Sequence, residues 1–210
     1  MPDAGKFITF EGPEGSGKTT QIALLKKYLA GRGFSVLTTR EPGGEDAAEK
    51  IRQVLLSPKY SLEPMAELFL YASSRIQHVE KIIKPALKKG MIVLSDRFYD
   101  ATMAYQGYGR RISKDLIKKI NRLSSPGLKP DLTILMDIEP HLGLKRARHN
   151  KKSLKKEVDR IEKESLAFHR RVRGGYLKLS RKEPERIKVV KVKEVKETQE
   201  KIREIVANVV

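Results

Sequence analysis

The chain has 210 residues, with 44 Lys and Arg against 26 Asp and Glu, a formal net charge of +18, and neither cysteine nor tryptophan. Disulfides, iron–sulfur clusters and thiolate zinc sites are excluded, and no apolar run approaches the ~20 residues that a membrane-spanning helix needs. With 39% hydrophobic residues the chain can bury a substantial core, so the expectation is one globular domain spanning 1–210, working in the reducing cytoplasm.

The N-terminus lacks the apolar core of a signal peptide and runs directly into a predicted strand at 7–10. Gly12-Pro13-Glu14-Gly15-Ser16-Gly17-Lys18-Thr19 follows and fits G-x-x-x-x-G-K-[ST]. Behind it, Ile22, Leu25 and Leu29 give an apolar helical face that stops at Gly31-Arg32-Gly33. A loop between a strand and a helix is the context this pattern requires. Its glycines aim consecutive N–H groups inward, so residues 12–20, ending in Thr20, are expected to cradle a nucleoside triphosphate. Lys18 is expected at the β- and γ-phosphates and the Thr19 hydroxyl on Mg²⁺.

A second strand is predicted at 35–39, running out into Arg40-Glu41-Pro42-Gly43-Gly44. A short helix carries Ala47, Ile51, Val54 and Leu55, and a long one spans 64–88 with Pro64 in its first turn. The third strand, 91–94, leads into Asp96-Arg97. Helices at 113–124, 140–148, 158–181 and 197–209 and strands at 132–136 and 187–192 complete the pattern, the last strand alternating as an edge does. Strand–helix alternation predicts a three-layer αβα sandwich on a five-stranded parallel sheet.

Ligands of such sheets collect at the carboxyl ends of the strands, which sets Arg40 and Arg97 beside the phosphate loop. A second phosphorylated substrate accounts for both guanidiniums, although a surface ion pair accounts for either alone. Charge is uneven as well: residues 1–140 carry 22 cations against 16 anions, residues 141–210 carry 22 against 10. Polyanionic partners and a densely solvated surface explain that equally well. Residues 150–156, Asn-Lys-Lys-Ser-Leu-Lys-Lys, are read either as a solvated loop or as a mobile cover over something anionic.

With these residues in view the chain resembles the thymidylate kinases, P-loop nucleoside monophosphate kinases that transfer the γ-phosphoryl group of ATP to dTMP. The resemblance covers nearly the whole chain. It rests on the phosphate loop with its internal Glu14, on Thr39-Arg40-Glu41-Pro42-Gly43-Gly44 and on Phe69-Leu70-Tyr71-Ala72-Ser73-Ser74-Arg75. It continues through Asp96-Arg97, Ala104-Tyr105-Gln106-Gly107, Pro130-Asp131-Leu132-Thr133, Gly143-Leu144-Lys145-Arg146 and Asp159-Arg160-Ile161-Glu162.

The resemblance implies that Glu14 accepts from the deoxyribose 3′-OH and that Arg75 donates to thymine O4. It implies that the aromatic one helical turn before Arg75 stacks on the base; the usual Phe is here Tyr71, while Phe69 is expected in the core. Arg97, assisted by Arg40, would hold the dTMP phosphate, and the bond before Pro42 would be cis. Thr102 and Gln106 would contact the base or nearby backbone. Tyr105 would sit beside the sugar 2′ position, or is a structural aromatic. Asp96 would organise Mg²⁺ through water or orient Arg97. Asp137 is read as structural, and His141, His149 and His169 as ordinary helix or surface residues.

Residues 13–16 contain no Arg or Lys, so the resemblance implies that the charge at the transferring phosphoryl comes from a basic lid at about 146–160. Arg160 is the main candidate, ahead of Arg148, Lys151 and Lys152. The expected catalytic set is Lys18, Arg97, Arg160 and Asp96, with Mg²⁺ as cofactor and ATP and dTMP as partners. A homodimer is implied, with no membrane and no specific nucleic-acid partner. The rivals are another monophosphate kinase on the same scaffold and, from the +18 charge, a nucleic-acid-stimulated ATPase.

Overall fold

β1 (Phe7–Glu11) is buried along its whole length, as are all but the last residues of β3 (Ile92–Asp96) and β4 (Leu132–Asp137). Their Val-, Ile- and Leu-rich runs are covered on both faces, which is why they read as continuous rather than alternating apolar stretches. β2 (Val36–Arg40) and β5 (Ile187–Lys191) are half-buried edges, and the five strands are parallel in the order β2-β3-β1-β4-β5. This computed structural model describes residues 5–153 and 157–210. Those parts of the expectations that fall on residues 1–4 and 154–156 lie outside the described residues.

One face of the sheet packs Ile8, Phe10, Leu94, Ile134 and Met136 against α1 (Lys18–Ala30) and α9 (Val195–Val206), through Ile22, Leu25, Leu29, Ile202 and Val206. On the other face Phe7, Val93 and Phe98 meet Val79, Ile83 and Ala86. Burying each of the larger side chains among these contributes roughly 1.5–3 kcal/mol. The predicted long helix is α3 (Pro64–His78), a π turn at Val79–Ile83, then α4 (Lys84–Lys88). Pro85 has no N–H for the carbonyl four residues back, and its ring crowds that carbonyl, so the turn widens there. α2 (Asp46–Leu56) and α6 (Lys114–Ser124) flank α3.

Three stretches differ from expectation. Residues 99–109 are helical, as α5 (Tyr99–Thr102) running into a π turn at Met103–Gly109. The helix expected at 140–148 is α7 (Pro140–Ser153), which carries helical structure into the basic segment instead of leaving it as a loop. The helix expected from 158 starts only at α8 (Leu166–Lys182), where the Ser165 side chain accepts from the Phe168 N–H at 3.2 Å. Residues 159–163 form turns because Asp159 Oδ1 accepts from the Glu162 N–H at 2.9 Å, a local bond that competes with helix.

Candidate active site

The phosphate loop leaves β1 and closes on α1. Its tightest approach is to α7: a Cβ on Gly15 would lie 2.0 Å from the Gly143 carbonyl oxygen, and one on Gly143 would lie 2.2 Å from that of Glu14. Only two glycines let these backbones meet. Inside the loop the Lys18 ammonium donates to Gly12 O (3.3 Å), Pro13 O (3.2 Å) and Ser16 Oγ (3.3 Å). Burial, and then the charge of Arg97, lowers its pKa.

The sheet order sets the ends of β2 and β3 beside the loop. Arg40 is in register with Asp96, and Asp96 with Phe10 of β1. Asp96 Oδ2 accepts from the Thr19 hydroxyl at 2.9 Å. Arg97, one residue on, sits at φ 73° and is the most heavily bonded side chain of the site. Its Nη1 donates to Gly12 O and to the Tyr176 hydroxyl, both at 3.0 Å; its Nη2 donates to Glu14 Oε1 (2.7 Å) and the Tyr105 hydroxyl (3.0 Å). Tyr105 in turn donates to Glu14 Oε1 at 2.9 Å. Burial alone would raise the Glu14 carboxyl, but Arg97 and Lys18 outweigh it and hold the group at about 2.

α3 supplies the opposite wall. Glu67, Tyr71 and Arg75 follow one another at four-residue spacing and share a face. The Arg75 guanidinium donates to Glu41 Oε2 (2.8 Å), Asn121 Oδ1 (3.1 Å) and Thr102 Oγ1 (2.8 Å). Glu41 also meets His78 Nδ1 at 3.1 Å, and the Arg75 charge with that hydrogen bond brings its buried carboxyl below the usual range despite desolvation. The Glu41–Pro42 peptide is cis. The Tyr71 ring lines the site, and its hydroxyl makes no hydrogen bond among the described residues; burial, then Glu67, raises its pKa.

Together these walls enclose a cavity of about 550 Å³. Every residue expected to bind the acceptor lines it: Glu14, Arg40, Pro42, Tyr71, Arg75, Arg97, Thr102, Tyr105 and Gln106. So do Gly15, Gly17, Lys18, Thr19, Thr20 and Asp96, while Gly12, Pro13 and Ser16 sit behind that surface. Arg40 lines the rim with its side chain 55% exposed and paired with Glu49 at 2.8 Å.

Arg160 is not brought to the cavity surface. Its Nη1 is 2.6 Å from Glu67 Oε2 and its Nε donates to Leu55 O, because the turn it lies in docks on α2 through Arg160 N and Leu56 O. Its Nη2 is buried without a hydrogen-bond partner among the described residues. Arg146 and Lys151 line the cavity in its place, Lys151 within 2.8 Å of both Asp159 and Glu162. Arg148 and Lys152 are exposed. Phe69, expected in the core, is 55% exposed, since the buried face of α3 runs through Leu68, Ala72 and Arg75. Asp137 is clamped by Arg173, and His169 is buried with Nε2 unpartnered, unlike the exposed His141 and His149.

Four polar residues of the site went unnoticed in the sequence. Glu67 receives Gln106, Arg110 and Arg160, and its place one turn before Tyr71 was the available signal. Arg52 donates to Pro42 O at 2.8 Å, a contact set by the packing of α2 over the end of β2. Glu11 and Tyr176 lie buried behind Arg97: Tyr176 donates to Glu11 Oε2 at 2.7 Å while accepting from Arg97, and Glu11 Oε1 receives the Phe98 N–H at 2.7 Å. A carboxylate closing an otherwise apolar strand was the clue. Burial, then Asp100, raises the Glu11 carboxyl to about 8.

Oxygen donors at the loop fit a hard divalent cation: the Thr19 hydroxyl and the Asp96 carboxylate adjoin at 2.9 Å and would leave the other ligand positions to phosphate oxygens and water. No cluster of three His, Cys, Asp or Glu among the described residues forms a cage of its own.

Comparison with known proteins agrees with this geometry. A family profile described as "Thymidylate kinase" matches residues 10–202. The chain is 56% identical over 189 residues to a protein of Geotalea daltonii named thymidylate kinase, covering 89% of this chain and 88% of that one. It is 53% identical over 186 residues to the protein of the same name from Syntrophotalea carbinolica, covering 88% and 86%. The crystal structure of thymidylate kinase from Ehrlichia chaffeensis superposes with a TM-score of 0.78 at 34% identity, covering 97% of this chain and 99% of that one.

Proposed function

The chain belongs to the thymidylate kinase family and transfers the γ-phosphoryl group of ATP to dTMP, yielding ADP and dTDP, and we propose that Mg²⁺ and the residues of this cavity act in that transfer as follows. The observation that carries the assignment is the double engagement of Arg97, which is bonded both to the phosphate loop at Gly12 and Glu14 and to the acceptor wall at Tyr105.

ATP lies with its phosphates in residues 12–20, against inward N–H groups and the α1 N-terminus, with Lys18 at the β,γ-bridge. Thr19, with Asp96 through water, would hold Mg²⁺, which would supply charge neutralisation at the ATP phosphates. dTMP lies with its base against Tyr71, its O4 at the outer edge of Arg75 and its 3′-OH on Glu14. Glu14 stays ionised at every working pH, because its pKa is held near 2. Arg97 and Arg40 orient the acceptor phosphate for in-line attack. An oxygen of that phosphate bonds to Pγ as the bond from Pγ to the bridging oxygen breaks, and ADP leaves. The acceptor is already largely dianionic near neutral pH, its second pKa being about 6, so no strong base is needed. Catalysis is positioning and charge neutralisation. Arg160 adds charge at the phosphoryl by exchanging Glu67 for it, its unpartnered Nη2 being the donor free to lead, as the described part of the basic segment (146–153 and 157–160) covers the site.

We further read the protein as a cytoplasmic homodimer. Met65, Phe69 and Ile76 form an exposed apolar stripe on α3, and Leu123 on the neighbouring α6 is 74% exposed. No helix among the described residues is long and apolar enough to cross a membrane. Turnover of dTMP, dUMP, UMP, dCMP and AMP in a coupled ADP-release assay tests the acceptor assignment. The reading requires dTMP first and dCMP at least about tenfold lower in kcat/KM, from the donor edge Arg75 presents to O4. Equal use of dCMP and dTMP contradicts it.

A further inference from the structure

A second cavity of about 580 Å³, comparable to the first, opens between α5, α6 and the end of α8. Its floor is apolar and aromatic, with Tyr99, Met103, Leu128 and Leu179. Its rim is cationic. Of the carboxylates in its wall, Asp100 is consumed by Arg186 (2.6 and 3.0 Å) and Glu183 by Arg186 and Lys129 (2.9 Å each). Lys118 is paired with Asp115 at 2.9 Å. Three rim cations, Lys114 and Arg122 of α6 and Lys182 of α8, have no carboxylate partner among the described residues; Lys114 lies 4.9 Å over the Tyr108 ring.

We propose that this cavity binds a second nucleotide, with the planar base on the apolar floor and the phosphates on Lys114, Arg122 and Lys182. An apolar ligand would leave the three cations unanswered, and a bare phosphate would leave the floor wet; a base joined to a polyphosphate satisfies both. The two cavities share a wall. Asn121 lines the second one, receives Arg75 Nη1 on Oδ1 at 3.1 Å and donates through Nδ2 to Tyr99 O at 3.1 Å. The Tyr99 ring lies 4.8 Å from that of Phe98, over which the Arg75 guanidinium sits at 5.4 Å. A ligand that moves Tyr99 therefore moves the donor assigned to thymine, and occupancy weakens dTMP binding. This coupling rests on the role given to Arg75; the binding itself does not.

The test saturates the enzyme with a bisubstrate analogue, adenosine and thymidine joined by five phosphates, and then titrates dTTP calorimetrically. One further site per chain is expected, weakened at least about tenfold in the Arg122→Glu/Lys182→Glu double variant, whose kcat is unchanged because neither residue lines the active site. Inorganic tripolyphosphate in the same titration should bind at least about tenfold more weakly than dTTP. In turnover assays dTTP should raise the apparent KM for dTMP without lowering kcat, and by more in the parent than in the double variant, where only competition at the active site remains. No heat beyond the active site, binding undiminished in the double variant, or tripolyphosphate as tight as dTTP would overturn the site. Binding with an equal rise in the KM for dTMP in both proteins would overturn the coupling alone.

Discussion

Tyr71 separates two contributions that a single aromatic side chain can make. Its ring faces the cavity, while its hydroxyl has no hydrogen-bond partner among the described residues, so Tyr71→Phe should leave the KM for dTMP within about twofold. Tyr71→Ala removes the stacking surface, worth about 1–3 kcal/mol per base, and should raise KM about tenfold or more. A large loss in the Phe variant would assign the hydroxyl a role in binding. Glu11 offers a test through pH. Its carboxyl titrates at about 8 in the folded chain against an ordinary 4.5, so the folded state holds the extra proton across that window. The associated stability is complete below about 4.5 and is lost as pH rises toward 8. Thermal midpoints measured from pH 5 to 8.5 should fall more steeply in the parent than in Glu11→Gln, and parallel curves would contradict this. Glu14 acts with the opposite sign in a separate window, its contribution present above 4.5 and lost as pH falls toward 2.

Among the elements, the contact of the phosphate loop with α7 is the most exacting. Gly143→Ala puts a methyl 2.2 Å from the Glu14 carbonyl oxygen, so the loop must move, and the KM for ATP should rise at least about tenfold with a lowered thermal midpoint. Gly174→Ala, on α8 with nothing within 4 Å of the new Cβ, should instead stabilise by about 0.5–1 kcal/mol. Similar behaviour of the two variants would refute the close-approach account. Strands were legible in the sequence because burial on both faces writes uninterrupted apolar runs, and the loop because its glycines are required by backbone geometry. Residues 99–109 were not legible as helix: the buried face there carries Asp100, Thr102 and Gln106, whose partners come from distant elements, so no apolar period appears. The same reason hid the position of Arg160, which depends on Glu67 across two packed elements, while Arg97 was visible from its strand end and Tyr71 and Arg75 through the family resemblance.

For the whole molecule, the apolar stripe of Met65, Phe69 and Ile76 beside Leu123 predicts association of two chains through α3 and α6. Light scattering should give twice the chain mass for the parent and a single-chain mass for Phe69→Glu/Leu123→Glu; a monomeric parent would contradict the assignment. The surplus of +18 favours anionic substrates at long range, but the chemistry depends on one enclosed space holding donor and acceptor phosphates together. That claim is tested most directly by quantifying ADP and dTDP from the purified protein with ATP and Mg²⁺, with and without dTMP. Transfer within one cavity predicts one ADP for each dTDP and negligible ADP when dTMP is left out; ADP released at the same rate in its absence, with no dTDP formed, would contradict it.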